Sequence, residues 1–219
     1  MKIAVNTRLL LPNRLEGIGW FTYETLKRIV QTHPEHQFYF LFDRPYDHGF
    51  IFGENVTPVV LRPQARHPIL WYIWFELSVS RFLRKNPVDI FLSPDGYLSL
   101  RTATPSIAAI HDINFAHYPE GMPWLVSRYF NHFFPKFAHK AVKIITVSEY
   151  SKNDIASTYN IPSGKISVAY NGVNPMYKPL SIEEVAAERQ ALTQGMPYFL
   201  FVGARSEERR VGKECRSRW

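Results

Sequence analysis

The stretch Ile107–Glu120, "IAAIHDINFAHYPE", runs four apolar residues straight into His111 and Asp112. An imidazole both donates and accepts hydrogen bonds and changes charge near neutral pH. Where a strand leaves the core, His111 would offer that group to a cleft, with Asp112 helping to orient it. These two form the candidate catalytic pair. The plainer reading makes His111 a satisfied histidine at a strand end and Asp112 a turn former. His117 reads as a loop histidine.

Four other loops carry polar or glycine residues at similar positions. Gly17 and Gly19 of "EGIG" precede a helix, so their amides and the helix N-terminus could take a phosphate. The structural alternative is a helix start that needs a positive φ. A dinucleotide fingerprint would want a third glycine where Thr22 stands; Asp43, ending the next strand, keeps a NAD reading as a minor alternative. "SPDGYLS" brings Asp95 and Tyr97, and "SEYSKND" brings Ser148 and Ser151. "NGVN" brings Asn171 and Gly172. These six are candidate acceptor or cleft contacts. Ser148 also reads as a helix N-cap, and Asn171–Gly172 as a turn. No His, Cys or acidic spacing matches a metal site, and there is no G-x-S-x-G nucleophile motif.

Those loops need a scaffold that aligns them. Short, continuous apolar runs read as strands at Lys2–Asn6, Gln37–Phe42, Val56–Leu61, Val88–Leu92, Ser106–Ile110, Lys143–Val147 and Lys165–Tyr170. Between them, helical patterns cover Trp20–Gln31, Pro68–Lys85, Pro123–Lys140 (with a break allowed at Pro135) and Glu149–Tyr159. Strands without in–out alternation, separated by helices, imply a parallel sheet covered on both faces. The fold class is therefore α/β, a doubly wound Rossmann-like domain over residues 1–175. Ligands of such a sheet bind at the carboxyl ends of its strands, which is where all five loops fall. Residues 176–196 read as a linker and helix (Ser181–Gln194), and 197–204, within "PYFLFVGA", as the first strand of a second, truncated domain.

Composition narrows the classes further. The 219 residues are 46% hydrophobic and 15% aromatic, enough for a large core. The apolar run Ile69–Phe75 is far short of the roughly 20 residues of a membrane span. One cysteine, no signal pattern and no span make a cytoplasmic protein the expectation. Of the formal charge of +7, residues 205–219 alone carry +3. That segment, "RSEERRVGKECRSRW", resembles a translated sequencing adapter and is read as a non-native tail. Without it, the argument for nucleic-acid binding from charge largely disappears. The aromatic and basic segment 67–85 allows peripheral contact with a membrane's inner face, although burial against the sheet is the preferred reading.

Taken in order, "EGIGWFTYETLKRI", "DIFLSPDG", "AAIHDINFAHYPE", "KIITVSEYSKNDI", "ISVAYNGVN" and "PYFLFVGA" resemble the N-terminal half of a GT-B glycosyltransferase of the retaining family 4 (group 1) kind. The "HD", "TVSEYS" and "NGV" pieces are most similar to mannosyltransferase-like members. The resemblance implies two Rossmann-like domains facing across a cleft, the N-terminal one on the acceptor side. It implies His111 against the transferred sugar and Gly17 and Gly19 near the donor diphosphate. It also implies a nucleotide-sugar co-substrate such as GDP-mannose or a UDP-sugar, no metal, and a polysaccharide or lipid-linked glycan acceptor. The family's donor-binding basic residue and paired glutamates belong to the C-terminal domain, so this chain alone is expected to be inactive. A GT-B sugar-nucleotide epimerase and a non-catalytic glycan-binding module are the alternatives.

Overall fold

The computed structural model describes residues 1–173 and 177–200. Seven strands form one sheet: β1 (Lys2–Asn6), β2 (Gln37–Phe42), β3 (Val56–Val60), β4 (Ile90–Ser93), β5 (Ser106–Ala109), β6 (Lys143–Thr146) and β7 (Ile166–Val168). Their order is β3-β2-β1-β4-β5-β6-β7, and every pairing is parallel. Ile3 of β1 pairs with Phe38 on one side and Ile90 on the other. The chain builds outward from β1 in one direction, then returns to lay β4 on its other side. The crevice beyond the carboxyl ends of β1 and β4 is thus the topological switch point.

Helices cover both faces, as the unalternating strands require. On one face Leu26 and Val30 of α1 (Gly17–Thr32) pack in a cluster with Phe38, Phe40 and Phe42. On the other, a larger cluster joins Trp74, Phe75, Phe91, Tyr97, Phe134 and Phe137. The predicted helix over 68–85 is three consecutive pieces: α2 (Pro68–Ile73), a π-helical segment (Trp74–Val79) and α3 (Ser80–Lys85). Its aromatics turn inward: Trp74 and Phe75 are fully buried, and Trp74 Nε1 donates to the Leu61 carbonyl at 2.9 Å. A four-residue α4 (Asn114–His117) follows β5. Then α5 (Trp124–Lys140) continues through Pro135 without the break allowed for it, because Tyr129, Phe134 and Phe137 are buried in the core on either side of the proline. α6 (Glu149–Tyr159) connects β6 to β7.

The chain divides into two units, residues 1–171 and 172–219, a boundary four residues before the expected one. In the second, α7 (Ile182–Thr193) opens on a capping box: the Glu184 amide donates to Ser181 Oγ at 3.2 Å, and the Ser181 amide to Glu184 Oε2 at 2.7 Å. The strand expected over 197–204 is not formed at residues 197–200; 201–204 and the tail 205–219 lie outside the described residues. Phe199 there is 99% exposed.

Phe91 sits at the centre of the sheet and is fully buried. Phe91→Ala is expected to lower unfolding free energy by about 3–5 kcal/mol through lost burial and the cavity left behind. Chemical denaturation measures this, and a loss below about 1 kcal/mol would mean that the larger core is not built around β4.

Candidate functional site

Two chain exits meet at the switch point. β1 leaves through Asn6, Thr7 and Arg8, and β4 leaves through Ser93, Pro94, Asp95 and Gly96. Asp95 joins them. Its Oδ1 accepts from Asn6 Nδ2 at 2.7 Å, from Ser93 Oγ at 2.9 Å and from the Tyr97 amide at 3.3 Å, while Oδ2 accepts from Arg8 Nε at 2.8 Å. Asp95 and Arg8 are only 7% and 8% exposed. The Arg8 guanidinium also lies 4.3 Å from the Tyr97 ring centroid. Burial opposes the Arg8 charge, but Asp95 and Tyr97 more than offset it, so its pKa is raised. Burial likewise pushes the Tyr97 phenol up. The structure therefore corrects the reading of Asp95 and Tyr97 as cleft contacts. They form a support beneath the rim: Asp95 accepts from four donors, the Tyr97 ring lies under the guanidinium, and both residues are buried.

That support sets the histidine. His111 Nε2 lies 2.8 Å from the Pro94 carbonyl. A carbonyl only accepts, so Nε2 carries a proton, and in the neutral ring Nδ1 is the nitrogen with the lone pair. The Thr146 hydroxyl donates to the His111 carbonyl at 3.3 Å, and Phe21 of α1 meets the imidazole edge-on with centroids 4.7 Å apart. Asp112 does not orient the ring. Its Oδ1 accepts from the Asn114 amide at 3.0 Å and shapes the turn into α4. Gly96 is needed for this geometry. Its φ is +83°, and an added Cβ would lie 3.1 Å from Phe134 and 3.2 Å from the Ala109 carbonyl.

The Phe21 contact brings the start of α1 to the same rim. Gly17 and Gly19 lie inside its first turn, and the helix starts three residues before the apolar period becomes readable at Trp20. Neither has a positive φ, so that structural alternative fails. Gly19 is required by close approach: a Cβ there would lie 3.0 Å from the Leu9 carbonyl and 3.2 Å from Leu15. At Gly17 a Cβ would meet nothing within 4 Å. The N-cap Glu16 makes no side-chain cap hydrogen bond, and the first turn holds no acidic residue. The amides of this turn therefore present their partial positive charge without a capping side chain.

The remaining candidates divide. Ser148 is the N-cap of α6: its Oγ accepts from the Ser151 amide at 3.0 Å and pairs with Ser151 Oγ at 3.0 Å. Ser151 is 7% exposed, so the two hydroxyls serve each other. Asn171 is exposed beyond the carboxyl end of β7, and no turn is assigned there; Gly172 opens the second unit and is also exposed. Asp43 accepts from Arg44 Nε at 2.6 Å, Arg44 Nη2 at 2.8 Å and the Ala65 amide at 2.8 Å, which leaves no carboxylate for a ribose. His117 Nε2 pairs with Asp154 Oδ1 at 2.8 Å. One set of donors escaped the spacing argument: His33, Glu35 and His36 hold ligand atoms within 4.8 Å of one another, at the far end of α1. Sequence reasoning also missed Asn6, Arg8 and Phe21. The polar run that ends β1 could have flagged the first two, but nothing in the sequence marks Phe21.

Removing one member of the Arg8–Asp95 pair leaves the other charge buried and unpaired. Asp95→Ala is expected to cost about 3–5 kcal/mol in unfolding free energy. The double variant Arg8→Met, Asp95→Ala should recover part of that loss. A single variant within 1 kcal/mol of the parent would show that the pair is not buried in solution.

With this geometry in hand, comparison with known proteins is informative. A family model described as Glycosyltransferase Family 4 matches residues 15–177. The chain is 32% identical over 155 residues to the O-antigen chain mannosyltransferase RfbU of Salmonella typhimurium, an alignment covering 68% of this chain and 38% of the relative. Among solved structures, Anabaena Alr3699/HepE in complex with UDP and glucose matches with a TM-score of 0.52 at 15% identity, over 88% of this chain and 50% of that one. The lipopolysaccharide outer core galactosyltransferase WaaB, in its apo form, gives 0.51 at 14% identity, over 79% and 46%. The chain thus spans half or less of the length of these proteins, and the structural likenesses speak to the fold. Because the family match runs from the start of α1 through His111 to the last strand of the sheet, the chain belongs to Glycosyltransferase Family 4, as the amino-terminal, Rossmann-like part of a GT-B fold.

Proposed function

We propose that this chain supplies the acceptor-side half of a retaining hexosyltransferase. The enzyme moves mannose from a nucleotide-sugar such as GDP-mannose to a polysaccharide or lipid-linked glycan, in the cytoplasm or at the inner membrane face. The relative named a mannosyltransferase supports the sugar, and the UDP and glucose bound by the Anabaena protein support a nucleotide-sugar donor. The observation that carries the reading is His111. Its Nε2–H is committed to Pro94, and its Nδ1 lone pair remains to accept from a hydroxyl, beside the uncapped first turn of α1.

Each element then has a role. As the glycosidic C–O bond to the nucleotide breaks, negative charge grows on the leaving diphosphate. Amides at Gly17 and Gly19, at the positive end of α1, stabilise that charge. His111 accepts a hydrogen bond from a sugar hydroxyl and fixes the ring at the reaction centre. The acceptor oxygen attacks from the face the diphosphate leaves, and its proton passes to the departing phosphate, so stereochemistry is retained. The nucleobase, ribose and most phosphate contacts come from the other half of the cleft. The 219-residue chain alone is therefore inactive.

The test is transfer from GDP-mannose and from UDP-hexoses by the complete gene product. His111→Ala is expected to lower kcat by about 100-fold while the donor KM changes less than about threefold. A kcat within about threefold of the parent would remove His111 from the reaction centre. Turnover by the 219-residue chain itself would overturn the division of the site between two halves.

A further inference from the structure

A second polar feature lies at the opposite edge of the sheet from His111. The 68–85 helix follows β3 and leads into β4, so it runs antiparallel to the strands, and α3 ends near their amino-terminal edge. There a cavity of about 290 Å³ is lined by Glu76, Leu77, Ser80, Arg81, Arg84 and Arg101. Three exposed arginines, from two separate parts of the chain, thus line one hollow. Among the described residues none of the three makes an ion pair with a carboxylate at salt-bridge distance.

The one carboxylate in the wall, Glu76, makes no salt bridge with any of them. Glu76 is 4% exposed, with Oε1 accepting from the Leu100 amide at 2.8 Å and Oε2 from the Arg101 amide at 3.2 Å. Burial pushes its carboxyl up while those two amides and the charges of Arg101 and Lys140 draw it back. Glu76 therefore spends its acceptors pinning the loop that carries Arg101 to the helix that carries Arg81 and Arg84. It fixes the spacing of the cations. The residue sits in the π-helical segment, a less stable geometry that recurs where a helix serves a site. A helix C-terminus favours basic residues on its own account, which explains Arg84 and Lys85 in the last turn of α3. It does not explain Arg101 or the hollow between them.

We propose that Arg81, Arg84 and Arg101 form a phosphate-binding cavity, separate from the glycosyl-transfer rim, that takes a phosphomonoester or phosphodiester group. Guanidinium forks match the paired oxygens of a phosphate, and three of them around one cavity suit a tetrahedral oxyanion better than a planar carboxylate. The phosphate comes either from a soluble molecule or from a phospholipid headgroup. The proposal does not depend on the identity of the sugar or on His111.

The test uses the 219-residue chain, calorimetric titration with inorganic phosphate and pyrophosphate, and co-sedimentation with phosphatidylcholine vesicles with and without phosphatidylglycerol. Saturable binding of at least one probe is expected. It should weaken by about tenfold or more in Arg81→Ala, Arg101→Ala. Arg84→Gln, a single exposed change, should weaken it in the same direction, and circular dichroism confirms that each variant is folded. Lys27→Ala, Arg28→Ala removes the same charge from α1 and should leave binding within about twofold. Binding of phosphate without vesicles assigns the site to a soluble phosphate. Vesicle binding that phosphatidylglycerol promotes and free phosphate displaces assigns it to a headgroup. Binding of neither probe, or equal weakening by the α1 control, overturns the proposal.

Discussion

A carboxylate and a guanidinium, both nearly out of water, hold the two chain exits of the switch point together. Neither Arg8 nor Asp95 could be buried alone, since an isolated ion in the interior costs several kcal/mol. Together they are tolerable because Asp95 accepts from four donors, Arg8 among them, and because the guanidinium rests on the face of Tyr97. The result is a rigid junction between β1 and β4 at the place where an open parallel sheet offers its crevice.

The junction sets the chemistry above it. Asp95 fixes the "SPDG" turn, the turn aims the Pro94 carbonyl, and that carbonyl selects which imidazole nitrogen carries the proton. Gly96 lets the turn lie against Phe134 and the Ala109 carbonyl, so the core reaches the rim through one residue without a side chain. Phe21 then ties the imidazole to α1. A histidine held this way is suited to positioning and hydrogen bonding.

The parallel sheet also separates polar residues between its two edges. At the carboxyl edge stand His111, the open turn at Gly17 and the exposed Asn171. At the amino edge stand the arginines around Glu76. Helices antiparallel to the strands give each edge its own set of helix ends. The π-helical turn belongs to this second edge and explains why three consecutive residues, Trp74, Phe75 and Glu76, are all buried.

The amino-acid sequence by itself determined the sheet, its direction and its loops. Seven short apolar runs without alternation fit only strands buried on both faces, and helices between them force parallel pairing. It also determined that His111 stands at a strand's end, and that Ser148 caps α6, because both follow from neighbours along the chain. Boundaries were less legible. α1 starts at Gly17 and not at Trp20, since glycines add nothing to an apolar period. Tertiary structure alone decided which polar residues are buried with partners and which stay exposed. Asp95 and Ser148 occupy equivalent places after their strands, yet Asp95 is buried by Arg8, from 87 positions earlier in the chain, and Asp112 turns to its own neighbour. Burial and partnership of a charge depend on which distant groups the fold brings within about 3 Å, and no local pattern of residues encodes that distance.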